Sequence, residues 1–246
     1  MTRREILERG AMGMLVAGVA SLLAACASDS TTPTRSVATT KNPPRTPTSP
    51  NPKAAPMSFP QANTLPPTLP GDVIPRSSWA KGSPIISRMN RADRPYTWIT
   101  VHHDGMDSFT STSYASAAAR LEQIRNAHII RKPEPFGDIG YHYLIDPSGR
   151  VWQGRELVWQ GAHVAGENPG NLGICVMGNY DIQRPNAAQL AALNRFVAAQ
   201  MRAYHIPLAR VRTHQEWPSA HTRCPGFSLE QYMRVARLPG GGIAMA

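Results

Sequence analysis

GYHYLIDPSGRVWQGR, residues 140 to 155, alternates apolar and polar positions on either side of Asp146-Pro147-Ser148-Gly149, a four-residue turn signal. That pattern specifies a β-hairpin, because successive strand side chains point to opposite faces and these four residue types favour turn backbone. Downstream, NLGICVMGNY (171 to 180) is a short apolar run bounded by Gly and Asn, consistent with a buried strand. Upstream, YTWITVHH (96 to 103) is dense in aromatic and β-branched residues and reads as a strand ending in two histidines.

Helical patterns separate these strands. STSYASAAARLEQIRNAHII (111 to 130) offers Ser and Thr as caps and sets Leu121, Ile124 and His128 at helical spacing on one face. His128 therefore reads as a partly buried packing histidine rather than a ligand. Asn186 caps a long helix whose Leu190, Leu193, Phe196, Val197, Met201 and Tyr204 form one apolar stripe. Ser228 with Gln231 reads as a capping box for a last short helix. The order of elements predicts an α/β domain, a mixed central β-sheet flanked by helices.

The domain does not fill the chain. Arg3 and Arg4 precede an uncharged stretch from Ala11 to Ala25 that is short for a permanent membrane helix, so residues 1–25 read as an export signal. Thr2-Arg3-Arg4-Glu5-Ile6-Leu7 resembles a twin-arginine export motif, and Leu23-Ala24-Ala25-Cys26 resembles a lipobox, which implies cleavage before Cys26 and acylation of its thiol. Residues 26–70 turn to Pro, Thr, Ser and Asn, and hold eleven of the 23 prolines between Ala27 and Pro70. Such a segment cannot bury enough apolar surface to fold and reads as an extended tether. Residues 71–246 carry the folded head.

The net charge is +10, and the head keeps much of it, with 19 basic against 13 acidic residues. A basic surface suits an anionic polymer. Charge alone fits nucleic acid as well, but no basic stripe with interleaved aromatics stands out and an export signal removes the chain from most nucleic acid. Outside a membrane, cell-wall glycan and peptide carboxylates are polymers that fit this charge, and the chain is expected as an exported, membrane-anchored monomer facing the periplasm or cell wall.

THQEWPSAHTRCPG (213 to 226) places a thiol in a polar, proline-containing loop, where a disulfide, a metal or a nucleophile would each explain it. Catalytic zinc takes three protein ligands and keeps one position open, and His and Cys suit its borderline softness. His102, His214 and Cys224 would make such a set, although eight histidines allow many triplets.

The head resembles the type 2 N-acetylmuramoyl-L-alanine amidases, the family shared by peptidoglycan recognition proteins and phage lysozyme-type amidases. The resemblance rests on IPRSSWA (74 to 80), ITVHHDG (99 to 105), DIGYHYLIDPSGRVWQGR (138 to 155), GAHVAGENPGNLGICVMGNYD (161 to 181) and RTHQEWPSAHTRCPG (212 to 226), in the family's order. It implies a zinc (Zn2+) amidase cutting between the lactyl group of N-acetylmuramic acid and L-alanine of the stem peptide. It implies His102, His214 and Cys224 as zinc ligands, Tyr141 as a catalytic tyrosine acting on water or oxyanion, and Thr222 as a second oxyanion donor. It implies His163 and Asn168 as lining a groove for muropeptides; their residue types alone fit a loop-satisfying histidine and turn chemistry before Pro169.

Cys175 stands where cytoplasmic relatives carry a glutamate and reads as a buried small hydrophobe; a Cys175–Cys224 disulfide would remove a zinc ligand. Asp104 departs from the Thr or Ser usual after the histidine pair, and is expected to hold a ligand or point to solvent. Pro135-Phe136 matches neither pair associated with stem-peptide discrimination. His103, His142, His205 and His221 read as structural or surface residues, with His103 and His221 nearest the site. The competing function is a recognition module that binds muropeptides and cuts nothing; such modules lack the zinc cysteine.

Overall fold

A computed structural model describes residues 72–246. The segments read as an export signal and a tether, with Cys26 between them, lie outside the described residues. Six strands form one sheet: β1 (Val73–Ile74), β2 (Trp98–His103), β3 (Tyr143–Ile145), β4 (Val151–Gln153), β5 (Asn171–Val176) and β6 (Val211–Thr213), in the order β1-β4-β3-β5-β2-β6. β3 and β4 pair antiparallel across the expected turn, and every other neighbour is parallel, so the sheet is mixed. The turn is closed by Asp146, whose Oδ1 accepts from Ser148 N at 2.8 Å and Arg150 N at 3.1 Å.

Helices α1 (Tyr114–Ile130) and α2 (Ala187–Tyr204) cover opposite faces of the sheet; α3 (Phe227–Ala236) and the short α4 (Gly242–Met245) follow. Strand pleating sends Ile99, Val101, Leu172, Ile174 and Val176 toward α2, where Leu193, Phe196 and Val197 meet them. The other face receives Cys175, Leu144 and Trp152, packed on Leu121 and Ile124 of α1. The apolar stripe expected on α2 is the buried one, and Asn186 closes a capping box with Gln189 at its start.

One expected cap is wrong. Gly226, with φ 85°, occupies the N-cap position before α3, and Ser228 does not cap it. Ser228 lies inside the first turn, and its hydroxyl reaches Tyr180 O at 3.0 Å and Gln183 O at 2.7 Å. The Ser228–Gln231 spacing therefore serves tertiary docking instead of helix initiation. The strand expected over 171 to 180 stops at Val176, where the chain turns towards Tyr180.

Candidate metal centre

His102 is the fifth residue of β2 and lies on the same face as Thr100, because side chains alternate along the strand. His103 is sent to the other side, where its Nδ1 accepts from Tyr180 N at 3.2 Å. β6 lies beside β2, and the chain leaves β6 at Thr213 straight into a short 3-10 turn, His214–Glu216. That turn is clamped: Glu216 accepts from Thr213 N at 2.7 Å and takes two bonds of 2.7 Å from Arg237. The clamp depresses the Glu216 carboxyl below its usual range through these hydrogen bonds, against a burial that raises it. Cys224 is tied to the same turn by Gln215 N, which donates to Cys224 O at 2.8 Å, while Cys224 N donates to Thr222 Oγ1 at 3.1 Å.

These constraints bring the three expected ligands together. One donor atom from each of His102, His214 and Cys224 lies within 4.8 Å of the others, and all three residues are buried. His102 Nδ1 is 3.6 Å from Cys224 Sγ, and the His102 and His214 rings are 4.7 Å between centroids. Tetrahedral zinc with nitrogen and sulfur ligands at their usual bond lengths separates the two donors by about 3.6 Å, so the residues fit the ion. Burial, then the neighbouring histidines, holds the His102 imidazole far below its ordinary pKa, and burial takes His214 down to about 4. Neutral imidazoles are the metal-binding form.

The Tyr141 ring packs 5.0 Å from that of His102 and 5.4 Å from that of His128. His128 is half-buried, and its Nδ1 accepts from Gly140 N at 3.0 Å, so it packs and orients the approach to Tyr141 as expected of a non-ligand. His163 lies beside His102, 3.1 Å from Nδ1 to Nε2, and Asn168 Oδ1 accepts from His163 N at 2.8 Å and Val164 N at 3.0 Å. The geometry thus gives Asn168 a loop-closing part. His142 is fully buried, with Nδ1 accepting from Gly173 N at 3.0 Å; His205 is the left-handed cap of α2 at φ 53°, and His221 is exposed.

Cys175 and Cys224 are not joined in a disulfide, and Cys175 is completely buried, as a small apolar residue would be. Asp104 neither holds a ligand nor faces solvent. Its carboxylate takes two bonds from Arg120, at 2.7 and 3.3 Å, and one each from Met106 N and Gly178 N at 3.0 and 2.9 Å. The partner sits on α1, which strand alternation cannot reveal. Also unanticipated was a buried chain across the metal-bearing elements: Trp217 Nε1 donates to Thr100 Oγ1 at 2.9 Å, and Thr100 Oγ1 to Asn171 Oδ1 at 2.8 Å. The available signal was Thr100, two residues before His102 and so on its face.

Residues 92–227 match the family described as N-acetylmuramoyl-L-alanine amidase, and the chain belongs to that family. Over 165 residues it is 28% identical to the human N-acetylmuramoyl-L-alanine amidase, covering 66% of this chain and 28% of that protein's length. It is 32% identical over 162 residues to a peptidoglycan-recognition protein of Drosophila melanogaster, covering 65% of this chain and 84% of the relative. The chain thus spans under a third of the mammalian amidase and most of the insect recognition protein. Its fold is that of Drosophila PGRP-LB, with a TM-score of 0.59 at 22% identity over 69% of this chain and 95% of that one.

Proposed function

We propose that this protein is a zinc-dependent N-acetylmuramoyl-L-alanine amidase that hydrolyses the amide bond between N-acetylmuramic acid and L-alanine in peptidoglycan stem peptides. The observation that carries this reading is the buried convergence of His102, His214 and Cys224, a donor set and spacing suited to zinc. Zinc, when bound there, supplies Lewis acidity that acidifies a water and polarises the scissile carbonyl.

The chain's own residues supply the rest. Tyr141, packed on His102, offers a hydroxyl to the attacking water or to the oxygen on which charge develops. Thr222 Oγ1 accepts from Cys224 N, which leaves the hydroxyl's own proton for the same oxygen. The leaving amine of L-alanine must gain a proton as the C–N bond breaks, and the attacking water is its source. The basic head, with 19 basic and 13 acidic residues, complements stem-peptide carboxylates. Export, acylation at Cys26 and a tether over 26–70 would hold this head at a membrane within reach of the wall.

The test mixes the purified protein with peptidoglycan, with and without chelator, and reads the soluble products by mass spectrometry. Stem peptides with a free L-alanine amine, released only with metal, are expected. No release, with the protein sedimenting with the wall, would instead establish a recognition module.

A further inference from the structure

Both ring nitrogens of His163 are occupied within the protein. Nε2 lies 3.1 Å from the backbone oxygen of Asn171, and Nδ1 lies 3.1 Å from His102 Nε2. A carbonyl oxygen can only accept, so the proton of the neutral His163 ring sits on Nε2 and its Nδ1 presents a lone pair. That lone pair can bond His102 only if His102 carries its own proton on Nε2. His102 Nδ1 is then the bare nitrogen, and it is the atom that faces Cys224 Sγ at 3.6 Å.

From this relay we infer that His163 is a positioning residue: with the Asn171 carbonyl it fixes the His102 tautomer and aims His102 Nδ1 at the metal. The inference rests on the zinc reading above and moves His163 from the muropeptide groove to the support of a ligand. Metal-bound histidines commonly give their second nitrogen to such a partner, which sets tautomer and ring orientation. Here the partner is a second imidazole anchored on backbone.

The seat is built for that ring. A Cβ on Gly173 would fall 2.6 Å from His163 Cδ2, and one on Gly161 would fall 2.5 Å from the same atom, so both positions must lack one for the ring to lie there. The far end of the relay is fixed too. Asn171 is fully buried in β5, its Oδ1 accepts from Thr100 and its Nδ2 donates to Glu167 O at 2.9 Å. At the near end, Asn168 holds the His163 backbone. His163 is 7% exposed, and a substrate hydrogen bond to either ring nitrogen would have to displace an existing one.

The first measurement needs no variant. Long-range proton–nitrogen correlation spectra of isotope-labelled, metal-free protein should show His102 protonated on Nε2; protonation on Nδ1 would overturn the inference. Zinc affinity, read by competition with a chromophoric chelator, gives the second. His163→Leu should bind zinc on the order of 10–100-fold more weakly. His163→Gln, whose amide can accept from His102 and donate to Asn171, should recover most of that loss. Cobalt substitution should give a spectrum altered in His163→Leu and restored in His163→Gln. A His163→Leu protein with wild-type zinc affinity overturns the relay but leaves the zinc reading intact. Wild-type protein that binds no zinc overturns the reading beneath it.

Discussion

His102 Nδ1 and Cys224 Sγ lie 3.6 Å apart although 122 residues separate them in the chain. The approach is imposed by backbone, since β6 pairs beside β2 and the His214 turn is bonded to Cys224 O. Donors preset in this way would lose little order on taking up an ion.

Replacing Cys224 by Ser keeps the size and removes the soft thiolate. Zinc affinity should fall, and hydrolysis with it by on the order of 10³-fold, if the metal contributes several kcal/mol to the transition state. Sedimentation with peptidoglycan should persist, because one buried side chain changes and the basic surface of the head does not. A variant that cuts at the normal rate would remove Cys224 from the chemistry.

Tyr141→Phe deletes one hydroxyl and keeps the ring packed against His102 and His128. Loss of a donor to developing charge typically costs about 10²–10³ in kcat. Steady-state kinetics on a defined muropeptide should show that fall in kcat with KM nearly unchanged and zinc content at the wild-type level. An unchanged kcat would leave Tyr141 a packing residue.

The buried pair of Asp104 and Arg120 makes a stability prediction. Removing one charge leaves the other buried without its counterion, which costs about 3–5 kcal/mol. Asp104→Asn should therefore lower the urea midpoint sharply, while zinc content per folded molecule stays at the wild-type level. Loss of zinc from folded Asp104→Asn protein would instead give Asp104 a part in the site.

Several of these relationships were legible in the sequence and others could not be. The hairpin around Asp146–Gly149, the Asn186 cap and the α2 stripe follow from local periodicity and turn chemistry, which act over a few residues. The choice between His102 and His103 does not, because both faces of β2 are covered and each ring is buried. Asp104 was misread because its partner is sixteen residues away on a helix whose rotation against the sheet is a tertiary fact. Asn171 was invisible for another reason: the atom that orients His163 is a backbone oxygen, which carries no residue-type signal. The Ser228 spacing matched a cap, yet the better partners for its hydroxyl were carbonyls of a distant loop.

Buried neutral histidines outside the ligand set give the protein an acid limit. His142, enclosed by Gly173 N, Tyr96 and Trp159 O, is lowered by burial, and further by Arg155, from its ordinary 6.5 to about 3. His103 is lowered by burial to about 4, with Asp181 opposing. Unfolded, both rings would take up protons near 6.5, while the native state refuses them until the lower values. Their contribution is therefore whole above about pH 6.5 and is lost progressively as the pH falls towards 4 and 3. At about pH 5 each ring should cost the native state about 2 kcal/mol relative to neutral pH. Urea midpoints of chelated protein, compared at neutral pH and about pH 5, measure the sum without the separate pH dependence of metal binding. His142→Asn retains an acceptor for Gly173 N but does not titrate, so it should be less stable at neutral pH and lose less on acidification, by about 1.4 kcal/mol per pH unit. Equal acid slopes for the variant and the wild type would mean that His142 is protonated in the folded protein, and that the enclosure by Tyr96 and Trp159 is looser than the distances require.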